Sequence, residues 1–104
     1  MLEKLEGTFV YKGYECYVIL RKKENGIHYR CGYVAIPEEK GVDTFSIDCH
    51  GGITYANKIA PSPLVSDKDK WYIGFECGYA FDDIGEWTIG RVSEECRKIV
   101  DQIL

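Results

Sequence analysis

Asp48, Cys49 and His50 stand directly before paired glycines in the stretch DCHGGITY, residues 48–55. An acid, a thiol and an imidazole are the parts of a nucleophilic site, in which a base strips the proton from the attacking sulfur and a third group orients the base. The spacing argues against that use. In an extended segment, neighbouring side chains point to opposite faces, so Cys49 and His50 cannot share a proton. Asp48 and His50, two apart, share a face. The economical arrangement has Asp48 orienting His50, with Tyr55 and Glu76 completing a polar rim, and the plainer one leaves His50 exposed beside a turn. A metal site would draw on Asp48, His50, Glu76 and Asp82 or Asp83, but two histidines in the whole chain are a sparse ligand set for zinc. No catalytic residue, metal ligand or cofactor is assigned from the sequence.

A second group of candidates lies in the first half. Read as a hairpin closed by Asn25-Gly26, the segments YECYVILRK and IHYRCGYVAI set Arg21 directly across from Arg30. Two facing guanidinium groups repel. An anion relieves that, since each arginine offers a planar fork suited to phosphate or carboxylate, and Tyr17 nearby can stack on a base. The competing reading is a solvated hairpin whose cations discourage sheet-to-sheet aggregation. With Asp48, His50, Tyr55, Glu76 and Tyr79, these three complete the candidate ligand-binding set.

The elements that must position these residues are mostly strands. TFVY and YECYVILRK flank a turn at Lys12-Gly13. The two-residue turn at Asn25-Gly26 pairs Leu20 with Cys31, Val18 with Tyr33 and Cys16 with Ala35 on one face, and Tyr17 with Val34, Ile19 with Gly32, Arg21 with Arg30 and Lys23 with His28 on the other. TFSIDCH alternates with Phe45, Ile47 and Cys49 inward, which predicts a half-buried strand. Gly51-Gly52 then reads as a two-residue hairpin turn into ITYAN, with Asp48 opposite Tyr55 and His50 opposite Ile53. In WYIGFEC, Trp71, Ile73, Phe75 and Cys77 take the buried face, and Gly74 in mid-strand marks a close approach or a bulge. PEEKGVD is a charged loop. NKIAPSPLVSDKDK is longer than a mere connection needs and is placed to cover a site.

From Thr88 to Ile103 apolar residues recur at helical spacing, with Thr88 as N-cap and Asp82, Asp83 and Glu86 on the side favoured by the positive helix end. The fold class is therefore α+β: one domain over residues 1–104, an antiparallel sheet of about five or six strands with one C-terminal helix packed on one face.

Composition bounds what such a domain does. The 104 residues are 45% apolar and 29% charged, the mix of an ordinary globule. A net charge of -4 excludes general attraction to nucleic acid. No apolar run reaches the roughly 20 residues that span a bilayer, and MLEKLEGTF lacks a signal-peptide core, so no membrane partner and a cytoplasmic location are expected. Five cysteines without a CxxC pair read as reduced thiols serving as small apolar residues. Eight tyrosines and two tryptophans exceed the needs of one small core. Tyr suits ligand walls and interfaces, though it is also a favoured strand residue.

YRCGYVAIP (29–37), DCHGGITY (48–55) and WYIGFECGYAFDD (71–83) resemble a recurrent family of small proteins encoded by bacteriophages and prophages. Its pattern runs YRCGYV-x-[VI]-P, D-x-HGG-[LI]-T-[YF] and WWIGFDC-x-H-x-x-D before a C-terminal helix. The match covers most of the chain from Tyr29 onward. Two positions depart from it, where the family has His for Tyr79 and Asp for Glu76. A binding role survives those changes more easily than catalysis. The resemblance implies a phage context, hence the host cytoplasm, rather than a particular activity. The expected function is an accessory binding protein that sequesters a small anionic, nucleotide-like signal of host defence. The alternatives are an inhibitor that binds a host protein through exposed aromatics or a free strand edge, and a metal-dependent hydrolase using His50 and Asp48. A homodimer is expected, since many small binders build their pocket between subunits.

Overall fold

The computed structural model describes residues 3–37, 42–65, 70–79 and 82–103; the side chain of Phe45 and most of the charged loop expected after Pro37 lie outside them. Five strands run in the order β1 (Glu3–Tyr11), β2 (Tyr14–Lys22), β3 (His28–Pro37), β4 (Tyr55–Asn57) and β5 (Lys70–Glu76), followed by helix α1 (Ile89–Ile103). All neighbours are antiparallel, in the spatial order β1-β2-β3-β5-β4. The α+β class and the C-terminal helix stand as expected.

The first hairpin turns at Lys12-Gly13, where both residues have positive φ and Tyr11 faces Tyr14. The second differs from expectation by one residue. Asn25-Gly26 is part of a three-residue loop in which Gly26 N donates to Lys23 O at 2.9 Å, Lys23 N donates to Ile27 O at 2.8 Å and Asn25 Oδ1 accepts from Ile27 N at 3.0 Å. Gly26 takes positive φ and Asn25 does not, the pattern of a type I turn followed by a left-handed glycine. The extra residue shifts the ladder, so that Ile19 faces Cys31, Tyr17 faces Tyr33, Leu20 faces Arg30 and Arg21 faces Tyr29. One step of register sends every pairing to a new partner. It puts Arg21 and Arg30 on opposite faces of the sheet.

Both faces are covered. On one, Cys16, Val18, Val34, Ile73 and Phe75 pack against Val92, Cys96, Ile99 and Val100 of α1. Gly32 permits the helix to come so near, because a Cβ there would lie 2.6 Å from the Phe75 ring and 2.9 Å from Cys96 Sγ. On the other, Tyr17, Ile19, Cys31, Tyr33 and Tyr72 are sealed by residues 58–65, whose Val65 and Ala60 pack onto them. Arg21 Nη2 donates to Pro61 O at 2.6 Å and Ser62 Oγ donates to Glu3 Oε2 at 2.8 Å, tying that strap down across β1 and β2. The long prolyl loop thus covers sheet, and Tyr72 is buried rather than presented.

Thr44–His50 is not a strand. A single 3-10 turn spans Thr44–Ser46, and the chain then runs on to the next turn without joining a ladder. The alternation reported burial correctly, since Ile47 and Cys49 are buried, but the neighbour is the helix: Gln102 Oε1 accepts from Asp48 N, and Gln102 Nε2 donates to Asp48 O, both at 2.7 Å. The turn also moves. Gly52 N donates to Cys49 O at 2.9 Å, which makes His50 and Gly51 the central residues, and the expected pairs Asp48 with Tyr55 and His50 with Ile53 do not form. Tyr55 instead faces Gly74 of β5.

Helix α1 starts where expected. Thr88 Oγ1 accepts from Arg91 N at 3.2 Å, an N-cap that satisfies one of the open donors of the first turn.

Candidate functional site

The turn at Cys49–Gly52 carries the imidazole of His50 toward the loop before α1. Its Nε2 lies 2.9 Å from Asp82 Oδ1, with the Asp82 side chain 2% exposed and that of His50 18%. Asp82 Oδ2 accepts from Tyr79 N at 3.0 Å, and His50 N donates to Glu95 Oε1 on α1 at 2.7 Å. The imidazole sits 4.0 Å from the Trp87 ring and edge-on to Tyr79 at 6.1 Å, while the Arg91 guanidinium covers Trp87 at 4.1 Å.

Arg30 approaches the same loop from the sheet. Its Nε donates to Glu6 Oε1 at 2.7 Å, and Nη1 donates to Ile84 O at 3.2 Å and Trp87 O at 3.0 Å. All of these partners belong to the protein, so this guanidinium fastens the 82–87 loop rather than waiting for an anion. The bulge between Leu5 and Gly7 in β1 coincides with the position of Glu6. Such irregularities re-aim side chains.

Beside the His50 and Asp82 pair opens a cleft of about 250 Å³. Lys23, His28, Tyr29, Tyr79, Asp82 and Asp83 line it, and Ile27 and Ile84, 58% and 38% exposed, border it. Each tyrosine rests on a glycine. A Cβ on Gly78 would lie 2.8 Å from the Tyr29 ring, and one on Gly51 would collide with Tyr79. Lys23 Nζ donates to Gly78 O and stands 5.6 Å from the Tyr29 centroid. These seats hold both rings in place, which reduces the ordering a ligand must impose.

The structure divides the eight sequence-derived candidates. His50 and Tyr79 share the site, and Arg30 supports it through Trp87. Asp48 does not orient His50: it is exposed, 3.5 Å from Lys98 Nζ, and Asp82 holds the imidazole instead. Tyr17, Arg21, Tyr55 and Glu76 belong to the strap side. Tyr17 donates to Glu15, Tyr55 stands edge-on to Tyr33 at 5.7 Å, and Arg21 lies 5.6 Å over Tyr33 with Nε 3.3 Å from Glu3 Oε1. Those distances make Arg21 a pillar of the sheet, and the expected facing pair of Arg21 and Arg30 does not form.

Sequence reading missed Lys23, His28, Tyr29, Trp87 and Glu95. Trp87 had a usable mark: it precedes the N-cap Thr88 and shares the core with Val92 four residues into the helix, the spacing of a hydrophobic staple.

The thiols offer no nucleophile. All five are free and buried. Burial pushes Cys49 up to about 11 and Cys77, which borders the cleft, up to about 12. Protonated thiols are poor nucleophiles at neutral pH. Among the described residues no group of three His, Cys, Asp or Glu is placed to hold a metal ion, and no helix is long and apolar enough to cross a membrane.

No family model, curated protein or solved structure matches the chain.

Proposed function

We propose that the chain is a phage accessory binding protein that captures a small anionic, nucleotide-like ligand in the cleft beside His50 and Asp82. The observation that carries this reading is the pair of glycine-seated rings, Tyr29 and Tyr79, lining one cleft with the ammonium of Lys23 and the imidazole of His28. Aromatic faces take a heterocycle, and the lysine ammonium takes its anionic group. At about 250 Å³ the cleft falls just below the roughly 300–1,000 Å³ of drug-sized sites, which suits one ring system with its charged substituent outside. Protonated thiols and an acid already shared between His50 and Tyr79 favour capture over turnover. The resemblance to phage proteins supplies the setting, in which holding such a ligand away from its receptor blunts a host response.

Native mass spectrometry of protein purified from cells with an active nucleotide-based defence tests this. A retained nucleotide mass, lost in Tyr29→Ala, is the expected result. Bare protein, together with no change in melting temperature in a panel of mononucleotides, overturns it.

A second reading rests on Ile27 and Ile84, which leave apolar surface at the mouth of the cleft. A host protein seated there would bury them. It predicts that Ile27→Asp abolishes recovery of one partner in a pull-down, and that deproteinised extract yields no small molecule bound by the unaltered protein.

A further inference from the structure

We infer, building on the nucleotide-binding reading, that the cleft selects a base with two adjacent N–H donors, as guanine has, through the carboxylate of Asp83. The two acids of the cleft are not equivalent. Asp82 has both oxygens engaged inside the protein, one with His50 Nε2 at 2.9 Å and one with Tyr79 N at 3.0 Å. Asp83 is exposed and lines the cleft, and its Oδ1 accepts from Gly85 N at 2.7 Å. That bond orients the carboxylate without exhausting it, since two oxygens carry about four acceptor positions.

The rest of the loop fixes where this acid stands. Asp83 O accepts from Glu86 N at 3.0 Å and from Trp87 N at 2.9 Å, while Arg30 holds Ile84 O and Trp87 O. An ionised carboxylate only accepts hydrogen bonds, and two parallel bonds to one edge are the strong, directional form. Guanine presents its ring N–H and its amino group side by side. Adenine places an acceptor nitrogen beside its amino group, which sets a lone pair against the carboxylate. A partner left unpaired in this way is what makes polar recognition discriminate.

Other residues of the lining suit the phosphate. Lys23 spends one of its three donors on Gly78 O, leaving others for an anion, and His28 is exposed beside it. Base and phosphate are therefore met by different residues, and specificity separates from affinity.

The test is isothermal titration at low salt with guanosine monophosphate, adenosine monophosphate and guanosine, alongside NMR of the Tyr29 and Tyr79 rings. Guanosine monophosphate is expected to bind about tenfold more tightly than adenosine monophosphate, a typical worth for one polar contact at a partly exposed site. Asp83→Asn, which can still accept from Gly85 N, is expected to bring the two within about twofold, because its amide sets one donor against the donors of guanine. Lys23→Gln should weaken both nucleotides alike and keep the preference. Equal affinities in the unaltered protein, or a preference for adenine, overturn the selection by Asp83 and leave the binding reading standing. No ring shifts and no heat with any of the three overturn both.

Discussion

One buried carboxylate joins two parts of the site: Asp82 Oδ1 lies 2.9 Å from His50 Nε2 while Oδ2 takes the amide of Tyr79 at 3.0 Å. The turn that carries the imidazole and the wall that carries the cleft tyrosine are thereby set by a single side chain. Positioning of Tyr79 is then a property of Asp82, 2% exposed, more than of the tyrosine itself.

Asp82→Ala strands the Tyr79 amide and the His50 ring nitrogen at once. Leaving buried polar groups unpaired costs about 1–3 kcal/mol. Urea unfolding should show that loss, and proton exchange at the Tyr79 amide should quicken by more than the global loss explains. An unchanged Tyr79 amide would refute the linkage.

Arg30→Ala removes three contacts, to Glu6, Ile84 and Trp87. Because it leaves the Glu6 carboxylate largely enclosed without its partner, the cost is expected to reach about 3 kcal/mol. Arg21→Gln, on the opposite face, should leave the tryptophan fluorescence of the 82–87 loop unchanged. If both variants alter that fluorescence alike, the division of the two arginines between faces fails.

Gly32→Ala forces a methyl group between the Phe75 ring and Cys96 Sγ. Overpacking of this kind costs about 1–3 kcal/mol. The midpoint of chemical unfolding should fall accordingly, and a companion Phe75→Leu should recover part of it by making room.

The thiols give stability a definite dependence on pH. Burial raises Cys16 and Cys77 to about 12 and Cys31 and Cys49 to about 11 from the ordinary value of 9.0. Below pH 9.0 folded and unfolded chains both keep these protons; above it the unfolded chain releases them first, so stability falls as pH rises through 11 and 12. Burial raises Tyr29 and Tyr55 in the same direction, which steepens the fall. Reaction with a disulfide reagent isolates the sulfur part: it should be slow in the folded protein and track unfolding as urea is added.

What local sequence decides was legible. The Lys12-Gly13 turn, the Thr88 cap and the helical spacing from Val92 to Val100 all formed as read. Asn25-Gly26 misled because the same dipeptide closes a two-residue turn and ends a three-residue one. The closing bond from Lys23 N to Ile27 O decides the matter, and it depends on the whole ladder. Ile47 and Cys49 alternated inward truthfully, yet alternation records burial and not the identity of the neighbour, so the Gln102 side chain took a place assigned to a strand. Asp82 lies 32 residues from His50, beyond any short motif, whereas Asp48, two residues away, is the acid that local spacing offers.

The sheet wears two unlike coats. Under α1 every layer is locked by a hydrogen-bonded rod, whereas residues 58–65 are irregular chain, fastened at Arg21, Glu3 and Tyr55. Segments with few ladder bonds are the first to open in native-state fluctuations. Thermal breathing should therefore begin on the prolyl flank, exposing Tyr72 and Ile19 to water while the helical flank stays shut, and deuterium uptake would record that lopsided order.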